Sequence, residues 1–250
     1  MDKSLKLFSV SHRIENNLPQ DRLLLAVGDH SSEIEADFFD NTGDNISFKN
    51  PNYCELTALY WIWKNVNCDY VGFEHYRRFF FTRGQLFARP LTKVEIKNIL
   101  RSGKIIIPKP HKCHCSVSDD YAANHDINDL NLCGKIIEEK FPDYFSSFKK
   151  VLSGNQYSLG NMFVMPKSML DSYCSWLFEI LSTIESQIDV GSKDAYQSRV
   201  FGFLSERLFN VWLDKHNLNI YYAPVYNIGD CPIIVRIKGK MSQISKKQIR

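Results

Sequence analysis

The chain has 250 residues, of which 44% are hydrophobic, 13% aromatic and 24% charged, and its formal net charge is +3. This length and apolar content suffice for one large α/β domain with a sizeable core, whereas so small a positive charge argues against nucleic acid as a partner. The N-terminus lacks the apolar run of a signal peptide, and no segment approaches the roughly 18 apolar residues of a membrane span, so we predict a cytoplasmic protein.

The first elements predicted are two strands and a loop. Apolar runs indicate an opening strand at residues 5–10 and a second strand at 23–27, which Gly28 and Asp29 close. Residues 31–49 are acidic and rich in turn-forming residues, and they predict a loop.

An aromatic helix and a short apolar strand follow. Apolar residues recur at i, i+3, i+4 and i+7 from Leu56 and predict a helix that begins near Asn52, and residues 69–75 predict the next strand. Open α/β folds bind ligands beyond the carboxyl ends of their strands, and adjacent arginines favour an anion such as a phosphate. This strand ends in a polar group made of His75, Tyr76, Arg77 and Arg78.

Two interpretations of this polar group stay open. Strand alternation sends Phe73 and His75 to one face and Glu74 to the other. Arg77 and Arg78 then reach a ligand above the sheet, where they would neutralise a diphosphate leaving group. Alternatively, the two arginines pair with surface acids and His75 is a hydrogen-bonded core residue.

Glu55 also has two interpretations. Asn52-x-x-Glu55 is an Asn-headed variant of the capping box, in which the Glu55 side chain bonds back to the start of the helix. In the alternative, Glu55 contacts a ligand.

The rest of the sequence continues the alternation of helices and strands. Thr92 and Glu95 have capping-box spacing and predict a helix that runs to about Ser102. A strand is predicted at 104–108, and residues 109–120 look irregular. Further helices are predicted at 128–140, 142–152, 167–185 and 194–216, and further strands at 160–166 and 220–223.

This order of elements predicts an α/β fold with a mainly parallel sheet that helices cover on both faces. No linker or repeat divides the chain, so we predict a single domain over residues 1–235 and a basic C-terminal tail over 236–250. The tail carries six Lys or Arg and no acid. It is either a frayed, solvated terminus or a peripheral contact with the inner face of the membrane, where each basic residue contributes about 1 kcal/mol.

The helix predicted at 194–216 carries a second candidate group. Arg199, Gly202 and Glu206 share one face, and a glycine inside a helix costs about 1 kcal/mol relative to alanine, so Gly202 suggests close approach of a backbone or a ligand. Glu206, beside Arg207, is a candidate general base for a substrate hydroxyl. The alternative is an Arg–Glu pair on a solvated face.

Metal-binding signals in the sequence are weak. His111, Cys113, His114 and Cys115 lack a second Cys/His pair at usual zinc spacing, and the odd number of cysteines, seven, favours reduced thiols. His125 lies in a polar segment and either lines an acceptor site or is an ordinary loop histidine.

Several phosphate-binding and catalytic motifs are absent. The sequence contains no G-x-G-x-x-G, Walker loop, G-x-S-x-G or H-E-x-x-H, and no Asp-x-Asp; the nearest acidic substitute is residues 33–37. A phosphate-binding protein without these devices must neutralise charge with side chains, and Arg77 and Arg78 meet that need.

Four segments of the chain resemble a bacterial family of capsular and exopolysaccharide glycosyltransferases that was long catalogued only as a domain of unknown function. The likeness runs from about Leu5 to Pro224, and the segments stand in the same order as in the family. They are residues 50–65, 71–80, 160–165 and 199–208.

The resemblance implies a GT-A-like fold and transfer of galactose or galactofuranose from a UDP donor onto a surface glycan. By motif match it implies that His75, Arg77 and Arg78 serve the donor. It further implies that the site is completed by Asn161, Arg199, Glu206 and Arg207. Many GT-A enzymes hold Mn or Mg through Asp-x-Asp; because this chain lacks the motif, metal dependence is open and metal independence is favoured.

The resulting hypothesis is a UDP-sugar-dependent hexosyltransferase acting on a lipid-linked oligosaccharide. The arginines would stabilise the departing diphosphate, and Glu206 would activate the acceptor. One alternative is a nucleotide-sugar or phosphate-ester hydrolase. The high aromatic content suggests the other alternative, a non-catalytic glycan-binding protein.

Overall fold

A computed structural model describes residues 3–13, 18–28, 35–83 and 88–227 of the chain. The strands in this part, in chain order, are β1 (Leu5–Ser11), β2 (Leu23–Ala26), β3 (Phe38–Phe39), β4 (Tyr70–His75), β5 (Arg78–Phe80), β6 (Ile105–Pro108), β7 (His111–Lys112), β8 (Gln156–Tyr157), β9 (Phe163–Pro166), β10 (Ile220–Ala223) and β11 (Val225–Asn227). The α-helices are α1 (Asn50–Tyr53), α2 (Leu56–Asn65), α3 (Lys93–Arg101), α4 (Val117–Asn124), α5 (Ile127–Lys140), α6 (Pro142–Ser153), α7 (Lys167–Glu185) and α8 (Val200–His216).

Most strands join one mixed sheet in the order β10-β6-β9-β4-β1-β2-β3. Along this path only β9 runs against the common direction, since it is antiparallel to both β4 and β6. At the end of β4 the chain turns back into β5, and β11 pairs with β5. The sheet is therefore mainly parallel and helices flank it, which confirms the predicted α/β class.

The central strands β1 and β4 are buried on both faces of the sheet. They pair in parallel from Leu5 opposite Tyr70 to Val10 opposite His75. Parallel strands buried on both faces read as apolar runs, as these do. At Gly72, the end of the Leu7 side chain lies 2.5 Å from the position a Cβ would occupy, so any other residue there would force Leu7 to shift.

Two apolar layers lie on opposite sides of this sheet. The larger core packs α2 and α5 to α8 onto one face, around fully buried side chains such as Phe73, Phe163 and Trp212. The smaller core lies on the other face, where Ile96 and Leu100 of α3 pack against β1, β6 and β9.

A buried ion pair fixes the strand end that carries His75. Glu74 is fully buried on the face opposite Phe73 and His75, and Arg22 Nε donates to its Oε2 at 2.7 Å. The Phe80 backbone N–H donates to Glu74 Oε1 at 2.8 Å, which holds β5 against β4. Burying a charge is costly unless it is paired and hydrogen-bonded, and this pair satisfies both requirements.

Several element boundaries differ from the sequence predictions. The helix predicted from Asn52 is two helices, α1 and α2, because Cys54 has φ of 53° and breaks the chain direction. The strand predicted at 160–166 starts only at Phe163, since Gly160 and Asn161 have φ of 86° and 50°. The prediction that 109–120 is irregular is wrong in part, because β7 and the start of α4 lie there.

Other predictions hold. Thr92 and Glu95 form a reciprocal capping box at the start of α3, and α7 has the predicted bounds. The cysteines within the described ranges are free thiols. None of the described helices combines the length and apolar character needed to cross a bilayer. Asp29, residues 31–34 of the predicted loop and the whole basic tail at 236–250 lie outside the described residues.

Candidate functional site

A cleft of about 1070 Å³ opens at the carboxyl ends of β1 and β4. The strand order reverses here, with β2 on one side of β1 and β4 on the other, and such a reversal is where open α/β sheets bind ligands. The cleft is lined by Val10, Ser11, His12, Val27, Asn50, Pro51, Cys54, Glu55, His75, Tyr76, Arg77, Arg78, Gly160, Arg199, Glu206 and Asn227.

The turn between β4 and β5 presents the two predicted arginines to the cleft. His75 pairs with Arg78 across the turn, so Tyr76 and Arg77 form its two central residues. Both arginines are exposed, and the Arg77 guanidinium lies 5.3 Å from the centroid of the Tyr76 ring. Within the described part of the chain, Arg78 makes no salt bridge. For Arg78, the described residues therefore give no support to the alternative in which the arginines only pair with surface acids.

The peptide at Gly160 joins the end of β4 to α8. Its N–H donates to Glu206 Oε1 at 2.9 Å, and its carbonyl oxygen lies 2.5 Å from His75 Nε2. Because a carbonyl oxygen only accepts, His75 Nε2 carries the proton in this contact. Glycine suits this position, since φ is 86°.

Glu206 is a partly buried carboxylate in the cleft. Its side chain is 22% exposed, and Arg207 Nη1 donates to Oε2 at 3.2 Å. Burial raises the pKa of Glu206, Arg207 opposes this effect, and the charge of Glu55 adds to it. A carboxylate whose pKa is raised toward neutrality is a better proton acceptor, as a general base requires.

Glu55 is held from below by Asn161. The Asn161 amide donates to Glu55 Oε1 at 2.9 Å and to Ser205 Oγ at 2.8 Å. Asn161 is 1% exposed and does not line the cleft, so the structure places it beneath the site as a support for Glu55. The capping interpretation of Glu55 is wrong, because Asn52 lies inside α1 and donates to the Ser198 carbonyl instead.

Arg199 enters the cleft from the turn before α8, not from the helix face predicted. Its Nε donates to Cys54 Sγ at 3.2 Å, and the same thiol lies 3.4 Å from the position a Cβ on Gly202 would occupy. The close neighbour of Gly202 is therefore a side chain at the α1–α2 break, in ordinary van der Waals contact. Glu55, Cys54 and Arg199 meet because that break turns α1 toward α8.

Arg207 and His125 lie behind Glu206, around a second cavity of about 240 Å³. Arg207 is 3% exposed and absent from the main cleft; its Nη2 donates to the Tyr157 hydroxyl at 3.0 Å. The His125 ring stacks on Phe203 with centroids 3.9 Å apart. The second cavity shares Cys54, Glu55, Arg199 and Glu206 with the main cleft.

The structure thus brings most predicted site residues to one place. His75, Arg77, Arg78, Glu55, Arg199 and Glu206 line the main cleft, whereas Asn161, Arg207 and His125 do not. Sequence reasoning missed Ser11, the last residue of β1, and His12, which follows it, although their position at the end of an apolar strand was a usable signal. It also missed Asn50 and Asn227, which carried no local signal.

Metal ligands do not gather in the described ranges. There, no three His, Cys, Asp or Glu side chains come close enough to hold an ion together. Cys113 is buried and Cys115 exposed, so the Cys-x-Cys segment does not form a shared site.

Comparison with known proteins places the chain among glycosyltransferase-like sequences. It matches a protein family described as a domain of unknown function (DUF4422) over residues 6–217. It is also similar to WbbM, a bifunctional glycosyltransferase in its apo structure, with a TM-score of 0.81 and 30% identity over 91% of this chain and 46% of that one. This chain therefore spans about half the length of WbbM. The likeness confirms the predicted GT-A-like fold; no curated protein matches the sequence.

Proposed function

This chain belongs to the DUF4422 family, and on that premise we propose that it is a nucleotide-sugar-dependent hexosyltransferase. In this proposal it moves galactose or galactofuranose from a UDP-sugar to a hydroxyl of a lipid-linked surface-polysaccharide acceptor. Similarity to WbbM supports the reaction class. The observation that carries the proposal is the cleft itself, in which arginines and carboxylates from distant segments line one cavity at the switch point of the sheet.

The arginines suit a diphosphate. Arg77 lies in the two-residue turn, Arg78 follows it as the first residue of β5, and Arg199 faces the same cavity from the start of α8. Guanidinium groups bind phosphate oxygens in a bidentate manner and stay charged at all working pH values. They would bind the donor diphosphate and stabilise the negative charge that develops as it departs.

The carboxylates suit activation of the acceptor. In the proposed step the acceptor hydroxyl oxygen bonds to the anomeric carbon, and the bond from that carbon to the diphosphate oxygen breaks. The electron pair of the broken bond stays on the diphosphate, and the hydroxyl proton passes to Glu206. The raised pKa of Glu206 favours this transfer. Asn161 would act indirectly by holding Glu55.

We further propose that transfer does not depend on a metal. Charge neutralisation by Arg77, Arg78 and Arg199 would replace the divalent cation that Asp-x-Asp enzymes use. In this proposal the acceptor is held at a membrane, and the basic tail at 236–250 would contact anionic lipid there.

Titration of UDP by calorimetry, with Mn²⁺ or with EDTA, tests this proposal. We expect UDP to bind in EDTA and more tightly than UMP, because only a diphosphate engages the whole arginine group. Binding of oligosaccharides without binding of UDP would indicate a glycan-binding protein. Consumption of UDP-galactose at a rate that no acceptor increases would indicate a hydrolase, and UDP binding that requires Mn²⁺ would contradict metal independence.

A further inference from the structure

The second cavity has a composition unlike that of the main cleft. One wall is aromatic and is formed by Phe203, His125 and Tyr196, a group we term the aromatic wall. The His125 ring lies 3.9 Å from Phe203 and 5.8 Å from Tyr196, centroid to centroid, with interplanar angles of 24° and 20°. Burial, together with the charge of Arg207, lowers the pKa of His125, so its ring is neutral near pH 7.

The rest of the lining of the second cavity is polar and is linked by hydrogen bonds and ion pairs. Arg207 reaches Glu206 at 3.2 Å and Asp120 at 3.5 Å, and the Tyr157 hydroxyl donates to Asp120 Oδ2 at 3.0 Å. Asn124, one helical turn after Asp120, lines the same cavity. This network places carboxylate, amide and guanidinium groups in the same cavity as the aromatic wall.

Two lining residues hold buried polar atoms that have no hydrogen-bond partner in the described part of the chain. These atoms are Arg207 Nε and His125 Nδ1. Both atoms are fully buried, so they lie behind the cavity surface and a molecule in the cavity would not contact them directly.

The shape and chemistry of the second cavity match a sugar ring. A hexose has an apolar C–H face, which packs on aromatic rings, and a rim of hydroxyls that donate and accept hydrogen bonds. At about 240 Å³, the cavity is below the range of about 300–1000 Å³ typical of drug-sized ligands, so it suits a single ring. A nucleotide sugar is too large for it and fits the main cleft.

The lining residues that the two cavities share suggest a role for the second cavity in the proposed reaction. Glu206 and Glu55 line both of them. A sugar hydroxyl in the second cavity would therefore lie next to carboxylates that also line the donor cleft.

We propose that the second cavity is the acceptor subsite and that it binds the terminal sugar ring of a glycan against the aromatic wall. This inference rests on the proposed transferase function. Tyr196 forms the outer end of the wall and is 53% exposed, so it is the part an incoming sugar meets first. Asp120 and Asn124 bind the ring hydroxyls, and Arg207 holds Asp120 and Glu206 in place.

The test compares Tyr196→Ala with Tyr196→Phe and with Tyr222→Ala. Tyr222 is also an exposed tyrosine, 39% exposed, on β10 and outside both cavities. Initial rates are measured with UDP-galactose and a panel of octyl glycosides of galactose, glucose and N-acetylglucosamine. Glycoside binding is measured in parallel by saturation-transfer NMR with UDP present, and UDP affinity by calorimetry.

We expect Tyr196→Ala to raise the KM for the best glycoside about tenfold and to weaken its NMR signal, since the stacking contact is lost. UDP affinity should stay at the wild-type value. Tyr222→Ala should behave as wild type, because it lies outside both cavities, and the KM of Tyr196→Phe should rise much less than that of Tyr196→Ala, because the ring is kept. An unchanged KM and NMR signal in Tyr196→Ala would overturn the subsite assignment, as would wild-type protein that binds UDP but no glycoside of the panel.

The two proposals fail in different ways. If the wild-type protein binds no UDP and transfers no sugar, the proposed function falls and the acceptor subsite falls with it. If UDP binding and transfer are normal but Tyr196→Ala has no effect on the glycoside, only the subsite is wrong.

Discussion

At the scale of single residues, the site depends on one arginine without an acidic partner among the described residues and on one partly buried carboxylate. Arg78 projects into the cleft without a salt bridge among the described residues, and Glu206 is kept partly buried between the Gly160 N–H and Arg207. Arg78 is thus a positive charge available to a ligand, and Glu206 is a carboxylate whose pKa, and so its affinity for a proton, is raised. Both properties can be measured separately.

Arg78→Ala is expected to lower turnover about a hundredfold or more, because a preorganised contact to a developing charge typically contributes about 3–4 kcal/mol in the transition state. Arg78→Lys should be intermediate, since it keeps the charge but loses bidentate geometry. Steady-state kinetics with UDP-galactose checks this. Arg101→Ala, an exposed arginine at the end of α3, is the control. Wild-type rates in both Arg77→Ala and Arg78→Ala would refute the donor assignment.

Glu206→Gln is expected to abolish transfer while leaving the Kd for UDP unchanged, because the amide keeps the shape but cannot accept the proton. The pKa of Glu206 is raised, so its base form is lost as pH falls through a value above the ordinary 4.5. The acid limb of the kcat profile in wild type should accordingly lie above pH 4.5. A Gln variant that still transfers sugar, with the same acid limb, would exclude Glu206 as the base.

At the scale of elements, the site is assembled by short interruptions of regular structure. The break at Cys54 separates α1 from α2, and the two positive-φ residues Gly160 and Asn161 delay the start of β9. The break at Cys54 sets the direction of the Glu55 side chain, and the positive φ values keep the Gly160 N–H and C=O outside the strand ladder. The Glu55 side chain contacts Asn161, and the Gly160 peptide contacts His75 and Glu206.

A pair of glycine variants separates backbone strain from site geometry. Gly160 and Gly103 have φ of 86° and 75°, and neither has an atom nearer than 3.8 Å to the position of a Cβ. Alanine at either position should therefore cost about 1–2 kcal/mol of unfolding free energy from backbone strain alone. Only Gly160→Ala should also reduce transfer, because it shifts the peptide between His75 and Glu206. Urea unfolding and kinetics of both variants check this; equal activity in the two would contradict the bridging role.

At the scale of the whole molecule, the sequence predicted the helices, strands and caps that depend on local residue patterns. The strands at 5–10 and 69–75, the helix at 167–185 and the capping box at Thr92 follow from periodicity and capping chemistry, and together they identify the α/β class. The group from His75 to Arg78 followed from the rule that ligands bind at strand ends.

Features that depend on contacts between distant segments were not predictable. Asn161 lies 106 positions from Glu55 along the chain, and Arg207 lies 87 positions from Asp120. Nothing in either local sequence indicates that Asn161 is buried beneath the cleft or that Arg207 faces a second cavity. The antiparallel pair of β5 and β11 was missed for the same reason, since its strands are short and far apart in sequence.

The buried pair of Arg22 and Glu74 has a consequence for how this family can vary. The two residues stand 52 positions apart, and each is the charge partner of the other beneath the strand end that carries His75. Removing one partner leaves a buried unpaired charge, which costs about 3–5 kcal/mol, whereas exchanging both for apolar residues can be nearly neutral. Evolution can therefore change these positions only together, so they are expected to covary among relatives even though neither touches the cleft.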